Sequence, residues 1–155
     1  MRILVASDAH GRVLPVEKAI ENLKPDKLIY LGDGADHVEE LSYIYDDIDF
    51  YIVGGNCDFG DYKLADEICI CKKKIFFTHG HMYDVSFGLD KLIAAGKSRG
   101  ADIVLYGHTH VAYEQYINGM YILNPGSPTS PRQGKCSVGF VDITDKGIVT
   151  GIAPV

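Results

Sequence analysis

Apolar and polar positions alternate along the first third of the chain in an order that predicts strands separated by helices. Residues 3–6, 27–31 and 49–53 are short apolar runs of the kind that form buried strands. Between them, residues 13–23 and 36–45 repeat apolar positions at the spacing of an amphipathic helix. Successive parallel strands are joined by right-handed crossovers, so this part of the sequence predicts three parallel strands and an α/β fold.

The pattern changes after Asn56, where strand candidates follow each other more closely and turn signals separate them. The dipeptide Asn118-Gly119 suits a type I′ turn and predicts a hairpin, and a second hairpin is predicted around residues 145–147. One further helix is predicted at residues 87–99. The predicted strands cover residues 67–71, 74–78, 102–106, 112–117, 120–123, 137–143 and 148–152. Two packed sheets are expected rather than one.

The segment between these hairpins, residues 124–132, contains three prolines and one glycine. Such a composition disfavours regular structure and predicts a stiff surface loop. Its residues Ser127 and Arg132 are candidates for contact with a phosphate group. The alternative is that the segment only links the two hairpins.

Composition narrows the class of protein. With 155 residues, 46% of them hydrophobic and 23% charged, the chain is expected to form a single domain over residues 1–155, not a disordered, collagenous or membrane protein. The formal net charge of −6 argues against a broad surface for nucleic acid, although a small nucleotide-like substrate is compatible with it. The first residues include no long apolar segment, so a cytoplasmic location without membrane contact is expected.

The four cysteines are expected to be free thiols. No two of them are spaced as in a C-x-x-C metal site, and a chain of this length can build its own core without disulfides.

Residues of the types that bind metals follow five of the predicted strands. A glycine lies beside or close to each of them and allows the chain to turn sharply where the strand ends. Because ligands gather at the carboxyl ends of strands in α/β sheets, these side chains predict one shared site. The candidates are Asp8, His10, Asp33, Asn56, His79, His108 and His110.

The distribution of the histidines strengthens this prediction. Five of the six histidines lie at predicted strand ends, whereas any single Asp-x-His or His-x-His pair is weak evidence for a metal. His81, on a turn after His79, is more easily explained as a solvated side chain.

Seven donors are too many for one ion with open positions, but they suit two ions that share a carboxylate. Asp33 is the best candidate for this bridge. A mixture of imidazole, carboxylate and amide donors favours Mn²⁺, Fe or Zn²⁺ over Ca²⁺. With two carboxylates against two divalent cations, the site would be locally positive and attract a phosphate group despite the acidic chain.

The motif set resembles that of the calcineurin-like binuclear metallophosphoesterases. The match is carried by residues 8–110, through Asp8-x-His10, Gly32-Asp33, Gly55-Asn56, His79 and Gly107-His108-Thr109-His110. Together with Gly55-Asn56-Cys57-Asp58 and Asn124-Pro125-Gly126-Ser127, the short chain is most similar to the small single-domain phosphodiesterase subgroup. That subgroup also contains the retromer scaffold subunit.

The resemblance implies a four-layer αββα sandwich of two packed mixed sheets flanked by helices. It also implies two divalent ions, with Mn²⁺ expected and Fe, Zn²⁺ or Ni²⁺ as alternatives, and a bridging hydroxide that attacks phosphorus in line. One ion is expected to be held by Asp8, His10, Asp33 and His110, and the other by Asp33, Asn56, His79 and His108.

One position departs from the pattern of the wider family. Many members have a histidine after the metal-binding asparagine, where it assists the leaving group, and this chain has Cys57. A neutral thiol is a poor substitute for an imidazolium donor. His37 is the candidate that could protonate the leaving group or contact the phosphate instead, and Asp36 or Asp58 could orient a group of the site. The alternative for all three is a polar loop or helix-cap role.

The expected activity is therefore metal-dependent hydrolysis of phosphodiester bonds. Asn56 and His37 are the expected catalytic residues, and Cys57 and Ser127 the expected substrate contacts. The alternatives are a phosphomonoesterase and a non-catalytic scaffold that binds proteins on the same fold. The natural substrate and the native metal stay open, and so does the oligomeric state, since exposed strands or tyrosine-rich faces could support a homo-oligomer.

Overall fold

The predicted strands assemble into two five-stranded sheets, accompanied by three α-helices. The computed structural model describes all 155 residues. The strands are β1 (Arg2–Ala6), β2 (Lys27–Tyr30), β3 (Asp49–Ile52), β4 (Ala65–Ile70), β5 (Lys73–Thr78), β6 (Ile103–Leu105), β7 (Ala112–Ile117), β8 (Met120–Pro125), β9 (Ser137–Thr144) and β10 (Gly147–Pro154). The helices are α1 (Leu14–Leu23), α2 (Ala35–Ser42) and α3 (Asp90–Arg99).

The first sheet contains the three parallel strands that the sequence predicts. Its order is β10-β9-β1-β2-β3, and β2 pairs in parallel with β1 on one side and with β3 on the other. The last hairpin of the chain, β9-β10, extends this sheet by antiparallel pairing of β9 with β1. The carboxyl ends of β1, β2 and β3 therefore lie side by side at one edge of the sheet.

The second sheet has the order β4-β5-β6-β8-β7. The central strands β5, β6 and β8 are parallel, and the strands at both edges are antiparallel to their neighbours. Asn118 and Gly119 connect β7 and β8 with φ angles of +52° and +85°, as the type I′ turn requires.

Three apolar clusters show that the layers are helix, sheet, sheet and helix. A cluster of 13 buried residues from both sheets fills the space between them. A cluster of 12 packs α1 and α2 on the outer face of the first sheet, and one of 8 packs α3 on the outer face of the second. The four-layer αββα sandwich is confirmed. Neither α1 nor α3, the longest helices, exceeds ten residues, and no helix has the length and apolar character that crossing a bilayer requires.

Helix α3 begins three residues later than residues 87–99 predict. Gly88 adopts a φ of +152°, which a right-handed helix does not allow, and the Phe87 side chain is 92% exposed. Asp90 lies in the first turn, where a carboxylate interacts favourably with the helix dipole. The predicted helix begins too early because Phe87 fits the apolar spacing of a helix. In the structure this side chain faces solvent.

The prediction of a surface loop at residues 124–132 is wrong for its first half. Strand β8 continues through Pro125, and residues 124–128 are buried. Burial is possible because the Asn124 side chain satisfies the local backbone: its Nδ2 donates to Gly107 O at 2.9 Å, and its Oδ1 accepts from Gly126 N at 2.9 Å. This segment packs beneath the loops that follow β1 and β6.

Candidate metal centre

The structure brings all seven predicted donors together at one edge of the sandwich. The donors follow five strands. Four donors follow strands of the first sheet, and three follow strands of the second. Atoms of Asp8, His10 and His110 lie within 4.8 Å of one another, and so do those of Asp8, Asp33 and His79. The two groups share Asp8, and donors this close together could hold two neighbouring ions.

Most of these residues hold an unusual backbone conformation. Ten residues other than glycine have a positive φ, and five of them belong to the candidate ligand set. The left-handed conformation costs a non-glycine residue about 1–2 kcal/mol. Such strain persists only where the surrounding structure imposes it, and it is concentrated at functional sites. The five residues are Asp8 (φ +58°), His10 (+48°), Asp33 (+60°), His108 (+68°) and His110 (+56°).

Asp33 is placed between the two groups of donors. Its Oδ1 lies 3.6 Å from His79 Nε2, and its Oδ2 lies 4.0 Å from His10 Nε2 on the other side. The residue is only 3% exposed, so the carboxylate is held in this position by its surroundings. The two oxygens of one carboxylate thus face different donors, as the expected bridge between two ions would require.

Two histidines are fixed in the tautomer that a metal ligand needs. The Nδ1 of His79 donates to Leu31 O at 2.7 Å, and the Nδ1 of His110 donates to Ser130 O at 2.8 Å. A carbonyl oxygen can only accept, so the proton occupies Nδ1 in both rings. In the neutral form of each ring, Nε2 is therefore the nitrogen without a proton, and it faces the site.

Asn56, His79 and His108 form a second set of closely spaced donors. His79 Nε2 lies 3.1 Å from Asn56 Oδ1 and 3.2 Å from His108 Nδ1. Ligands at about 2.1 Å from an ion in octahedral or tetrahedral geometry lie about 3.0–3.4 Å apart. Both distances from His79 Nε2 therefore fit a pair of ligands on one ion.

The buried carboxylate of Asp8 indicates a cation site. Its side chain is fully buried, and its Oδ1 has no hydrogen-bond partner, although His110 Nε2 lies 3.2 Å away. A buried, unpaired carboxylate oxygen is costly without a positive charge beside it. Burial would raise the pKa of Asp8, but the imidazoles of His110 and His79 lower it below its ordinary value. The residue is thus an anion that lacks a full partner.

The imidazoles respond to the same surroundings in opposite ways. Burial lowers the pKa of His108, and a proton on the neighbouring His79 would lower it further, so the neutral ring that binds metals is favoured. The hydrogen bond with the Asp8 carboxylate raises the pKa of His110, although burial opposes this. A cation bound between Asp8 and His110 would replace the proton that this carboxylate favours.

Two glycines are required by the close approach of ligand side chains. A Cβ on Gly55 would lie 2.1 Å from Asp33 Oδ1, and a Cβ on Gly107 would lie 2.0 Å from Ser7 Oγ and 3.0 Å from Asp8 Oδ2. Any side chain at these positions would displace the carboxylates. The glycines of the Gly-Asn and Gly-His motifs therefore make room for the donors.

Asp58 organises the loops that carry Asp33 and Asn56. Its carboxylate accepts hydrogen bonds from four backbone amides, those of Asp33, Gly34, Ala35 and Gly55, at 2.7–2.9 Å. Burial would raise the pKa of Asp58, but these four amides lower it below its ordinary value. The expectation that Asp58 orients groups of the site is consistent with these contacts.

Two buried side chains that the sequence did not single out hold the remaining loops. The Tyr30 hydroxyl donates to Asp33 O at 2.8 Å and accepts from Ala9 N at 3.0 Å, which ties the loops after β1 and β2 together. Asn124 holds the loop of His108 and His110 through Gly107 O. Tyr30 ends a strand in the sequence, so only its hydroxyl, unusual in a buried parallel strand, could have indicated this role.

Ser127 is placed differently from its expected role as a substrate contact. Its side chain is fully buried, and the hydroxyl donates to Asp8 O at 2.8 Å. The same oxygen accepts from the backbone amides of Thr129 and Ser130. All of its hydrogen-bonding capacity is used within the protein, so it supports the Asp8 loop instead of facing a substrate.

His37 and Cys57 lie on the opposite side of the site, in a cleft of about 250 Å³. The Nδ1 of His37 lies 2.7 Å from Asp36 Oδ1, and a Cβ on Gly11 would lie 3.4 Å from its Nε2. The Asp36 carboxylate therefore fixes the ring with Nε2 toward the loop of His10. The lining residues are His10, Gly11, Gly34, Asp36, His37, Cys57 and Asp58.

Cys57 is exposed and adjoins the bridging carboxylate. Its backbone amide donates to Asp33 Oδ1 at 2.9 Å, and its Sγ lies within 4.8 Å of donor atoms of His10 and Asp33. Burial of the sulfur atom and the negative charge of Asp33 raise the pKa of the thiol. Cys57 is thus a neutral thiol at neutral pH.

His81 is less solvated than the sequence suggests. Its Nδ1 is buried without a hydrogen-bond partner, and its ring centre lies 5.3 Å from that of His79. Burial lowers the pKa of His81, and a proton on His79 would lower it further. The ring lines the site beside two candidate ligands.

Comparison with known proteins identifies the family. The model of the calcineurin-like phosphoesterase superfamily domain matches residues 1–146. The probable metallophosphoesterase YsnB of Bacillus subtilis (strain 168) is 32% identical over 142 residues, which cover 85% of this chain and 78% of that protein. The phosphodiesterase YfcE of Escherichia coli (strain K12) is 26% identical over 189 aligned positions, covering 99% and 98% of the two chains.

Solved structures give the same result for the fold. A conserved uncharacterized protein of Streptococcus pneumoniae TIGR4, described as a predicted phosphoesterase, has a TM-score of 0.84 and 32% identity, covering 99% of this chain and 88% of that one. Vacuolar Protein Sorting 29 of Cryptosporidium parvum has a TM-score of 0.75 and 20% identity, covering 98% and 96%. The latter shares the fold.

We predict that Asp58→Asn lowers the free energy of unfolding of the metal-free protein by about 2–3 kcal/mol, because an amide cannot satisfy four amide donors. Because the pKa of Asp58 is depressed in the folded protein, its carboxylate contributes its full stabilisation above about pH 4. This stabilisation is lost as the pH falls through the folded-state pKa. Urea unfolding at several pH values should show the two proteins converging in acid. The matched control is Asp61→Asn, an exposed acid of the same loop, and an equal effect of both substitutions would contradict the assignment.

We predict that His10→Gly gives a more stable metal-free protein than His10→Ala, by about 1 kcal/mol, because glycine adopts the left-handed conformation without strain. Both variants lose the same donor. Urea unfolding in the presence of a chelator measures the difference. If His10→Ala is as stable as His10→Gly, the backbone of this residue is not strained in solution.

Proposed function

We propose, on the premise that the chain belongs to the calcineurin-like phosphoesterase superfamily, that this metal-dependent phosphoesterase hydrolyses phosphodiester bonds at a binuclear centre. The observation that carries the proposal is the position of Asp33 between two groups of donors, with one oxygen facing each group. The family implies divalent metal ions, and the buried, unpartnered oxygen of Asp8 fits a cation.

The seven donors divide between the two ions in the way that the family motif suggests. Asp33 is the proposed shared ligand, with Asp8, His10 and His110 on one side and Asn56, His79 and His108 on the other. When bound, two divalent ions supply an activated water molecule and positive charge for the phosphoryl oxygens. Mn²⁺ is the proposed ion, with Fe, Zn²⁺ and Ni²⁺ as alternatives, because the neutral thiol of Cys57 is a weak ligand and leaves a nitrogen and oxygen set.

A diester is favoured over a monoester by the charge of the cleft. A phosphomonoester carries up to two negative charges at neutral pH, whereas a diester carries one. The residue beside Asn56 is a neutral thiol where an imidazolium would supply a further positive charge. Cys57 therefore suits a less charged phosphoryl group, with which it would be in contact. The relative named a phosphodiesterase supports the same choice.

His37 is the proposed proton donor to the leaving group. The Asp36 carboxylate holds its Nδ1, so that Nε2 faces the cleft beside His10 and Cys57. The ring is half-exposed and can exchange its proton with solvent between turnovers. His37 would then take the role of the histidine that many members of the family have at the position of Cys57.

The substrate is proposed to be small or nucleotide-like. The acidic chain, with its net charge of −6, does not favour an extended nucleic acid surface, whereas two divalent ions would make the site locally positive. A cytoplasmic location fits such a substrate. A scaffold role on the same fold is the alternative, but it gives no reason for a complete donor set around a buried, unpaired carboxylate.

We predict Mn²⁺-dependent hydrolysis of bis(p-nitrophenyl) phosphate in preference to p-nitrophenyl phosphate. Asp33→Asn and His79→Ala should each lower kcat/KM by at least about 100-fold, because each removes a donor of the centre. The matched control is Asp46→Asn, an exposed acid away from the donors, which should leave the rate unchanged. Release of p-nitrophenolate is the measurement.

Two results would overturn the diesterase proposal. Faster hydrolysis of the monoester would make the chain a phosphomonoesterase. If calorimetry detects ion binding but neither ester reacts with Mn²⁺, Fe²⁺, Zn²⁺ or Ni²⁺, the scaffold role is favoured.

We predict that His37→Gln slows esters with poor leaving groups by about 100-fold and esters with good leaving groups far less, because only the former need a proton. The phenyl and p-nitrophenyl esters of thymidine 5′-phosphate form the substrate pair. Asp36→Asn should give a smaller loss with the same selectivity, since it frees the ring without removing it. Equal losses for both esters would exclude proton donation by His37.

A further inference from the structure

The four arginines of the chain differ in how they are used. Arg2 forms an ion pair with Asp142, and Arg99 with Glu67, both away from the metal centre. Arg12 and Arg132 have no carboxylate within 4.0 Å, and both lie on the loops that carry or adjoin His10 and His110. In an acidic chain, two arginines without carboxylate partners on loops of a phosphoesterase centre indicate that their partner is an anion of the substrate.

Arg12 is held in place but not saturated. Its Nη2 donates to Ser130 Oγ at 2.6 Å and to Thr129 O at 3.3 Å. Its Nε and Nη1 have no partner in the protein. A guanidinium has five N–H donors in a rigid fork, so a fixed arginine with free donors is suited to bind an oxyanion.

Arg132 is anchored next to the same candidate ligand. Its backbone amide donates to His110 O at 3.0 Å, and its guanidinium forms no hydrogen bond or ion pair within the protein. Ser130, two residues before Arg132, accepts a hydrogen bond from His110 Nδ1 at 2.8 Å, so this segment is held against His110 at two points. Arg12 thus binds the segment of residues 129–132 that also carries Arg132 and contacts His110.

We infer that Arg12 and Arg132 form a second phosphate subsite, so that the preferred substrates are phosphodiesters with a further phosphate group, such as a nucleotide diester phosphorylated at its other hydroxyl. The inference rests on the proposed function and adds the substrate class to it. His37 and Cys57 line the cleft on one side of the donors, and the arginines flank the His110 side. A diester has two substituents, so one can enter the cleft while the other extends toward the arginines.

Phosphate is the oxyanion that best matches this pair. Arginine binds phosphate bidentately, and two arginines can share the two charges of a terminal phosphate. The hydroxyl of Ser130 is already engaged by Arg12, so it fixes the position of the guanidinium. Arg12 is therefore held in place before the substrate binds, which reduces the entropic cost of binding at this half of the subsite.

The experiment compares two substrates that differ by one phosphate: the p-nitrophenyl ester of thymidine 5′-phosphate and the same ester with a 3′-phosphate. We expect the 3′-phosphate to raise kcat/KM by about tenfold in the wild-type protein, mainly through KM. Arg132→Gln, which removes no contact within the protein, should abolish most of this ratio. Arg12→Lys, which keeps the charge but loses the fork, should reduce it.

Lys97→Gln on α3 is the matched control for net charge, and it should keep the ratio of the wild-type protein. Equal kcat/KM values for the two esters, or a ratio that survives Arg132→Gln, would overturn the subsite while leaving the phosphodiesterase proposal intact. If neither ester reacts, that proposal fails, and calorimetry with thymidine 3′,5′-bisphosphate and thymidine 5′-phosphate decides the subsite. Tighter binding of the bisphosphate that is lost in Arg132→Gln supports it, and equal binding overturns it.

Discussion

The left-handed backbone at five candidate ligands is the constraint on which the rest of the structure depends. Each of these residues lies in a loop that follows a strand, and its donor atom meets those of the other loops at one edge of the two sheets. This conformation opposes folding at every position where it occurs. The buried layers of the sandwich must therefore supply enough stability to hold several strained turns in one place.

A small number of hydrogen bonds holds the loops that carry this strain. The Asp58 carboxylate, the Tyr30 hydroxyl, the Asn124 amide and the Ser127 hydroxyl each bind backbone groups of the donor loops. None of these four side chains belongs to the donor set itself. Because they act on backbone atoms, they fix the direction of the donors while leaving the donor atoms free.

Much of this arrangement could be predicted from residue patterns. The apolar runs and the glycines beside the polar residues gave the parallel strands and the convergence of the donors at one edge. Residues 124–132 show where the pattern fails, since proline and glycine indicate irregular structure but not its burial. Burial there depends on Asn124 and Ser127 meeting backbone groups 17 and 119 residues away along the chain, and such partners are not visible in a local sequence.

The division of donors between the sheets has a mechanical consequence. Asp33 follows a strand of the first sheet and His79 a strand of the second, with their donor atoms 3.6 Å apart, while a cluster of apolar side chains fills the space between the sheets. An ion bound to both residues would cross-link the two sheets. Any ligand that binds only the folded chain stabilises it. The free energy required to separate the two sheets would therefore rise with the concentration of free metal ion.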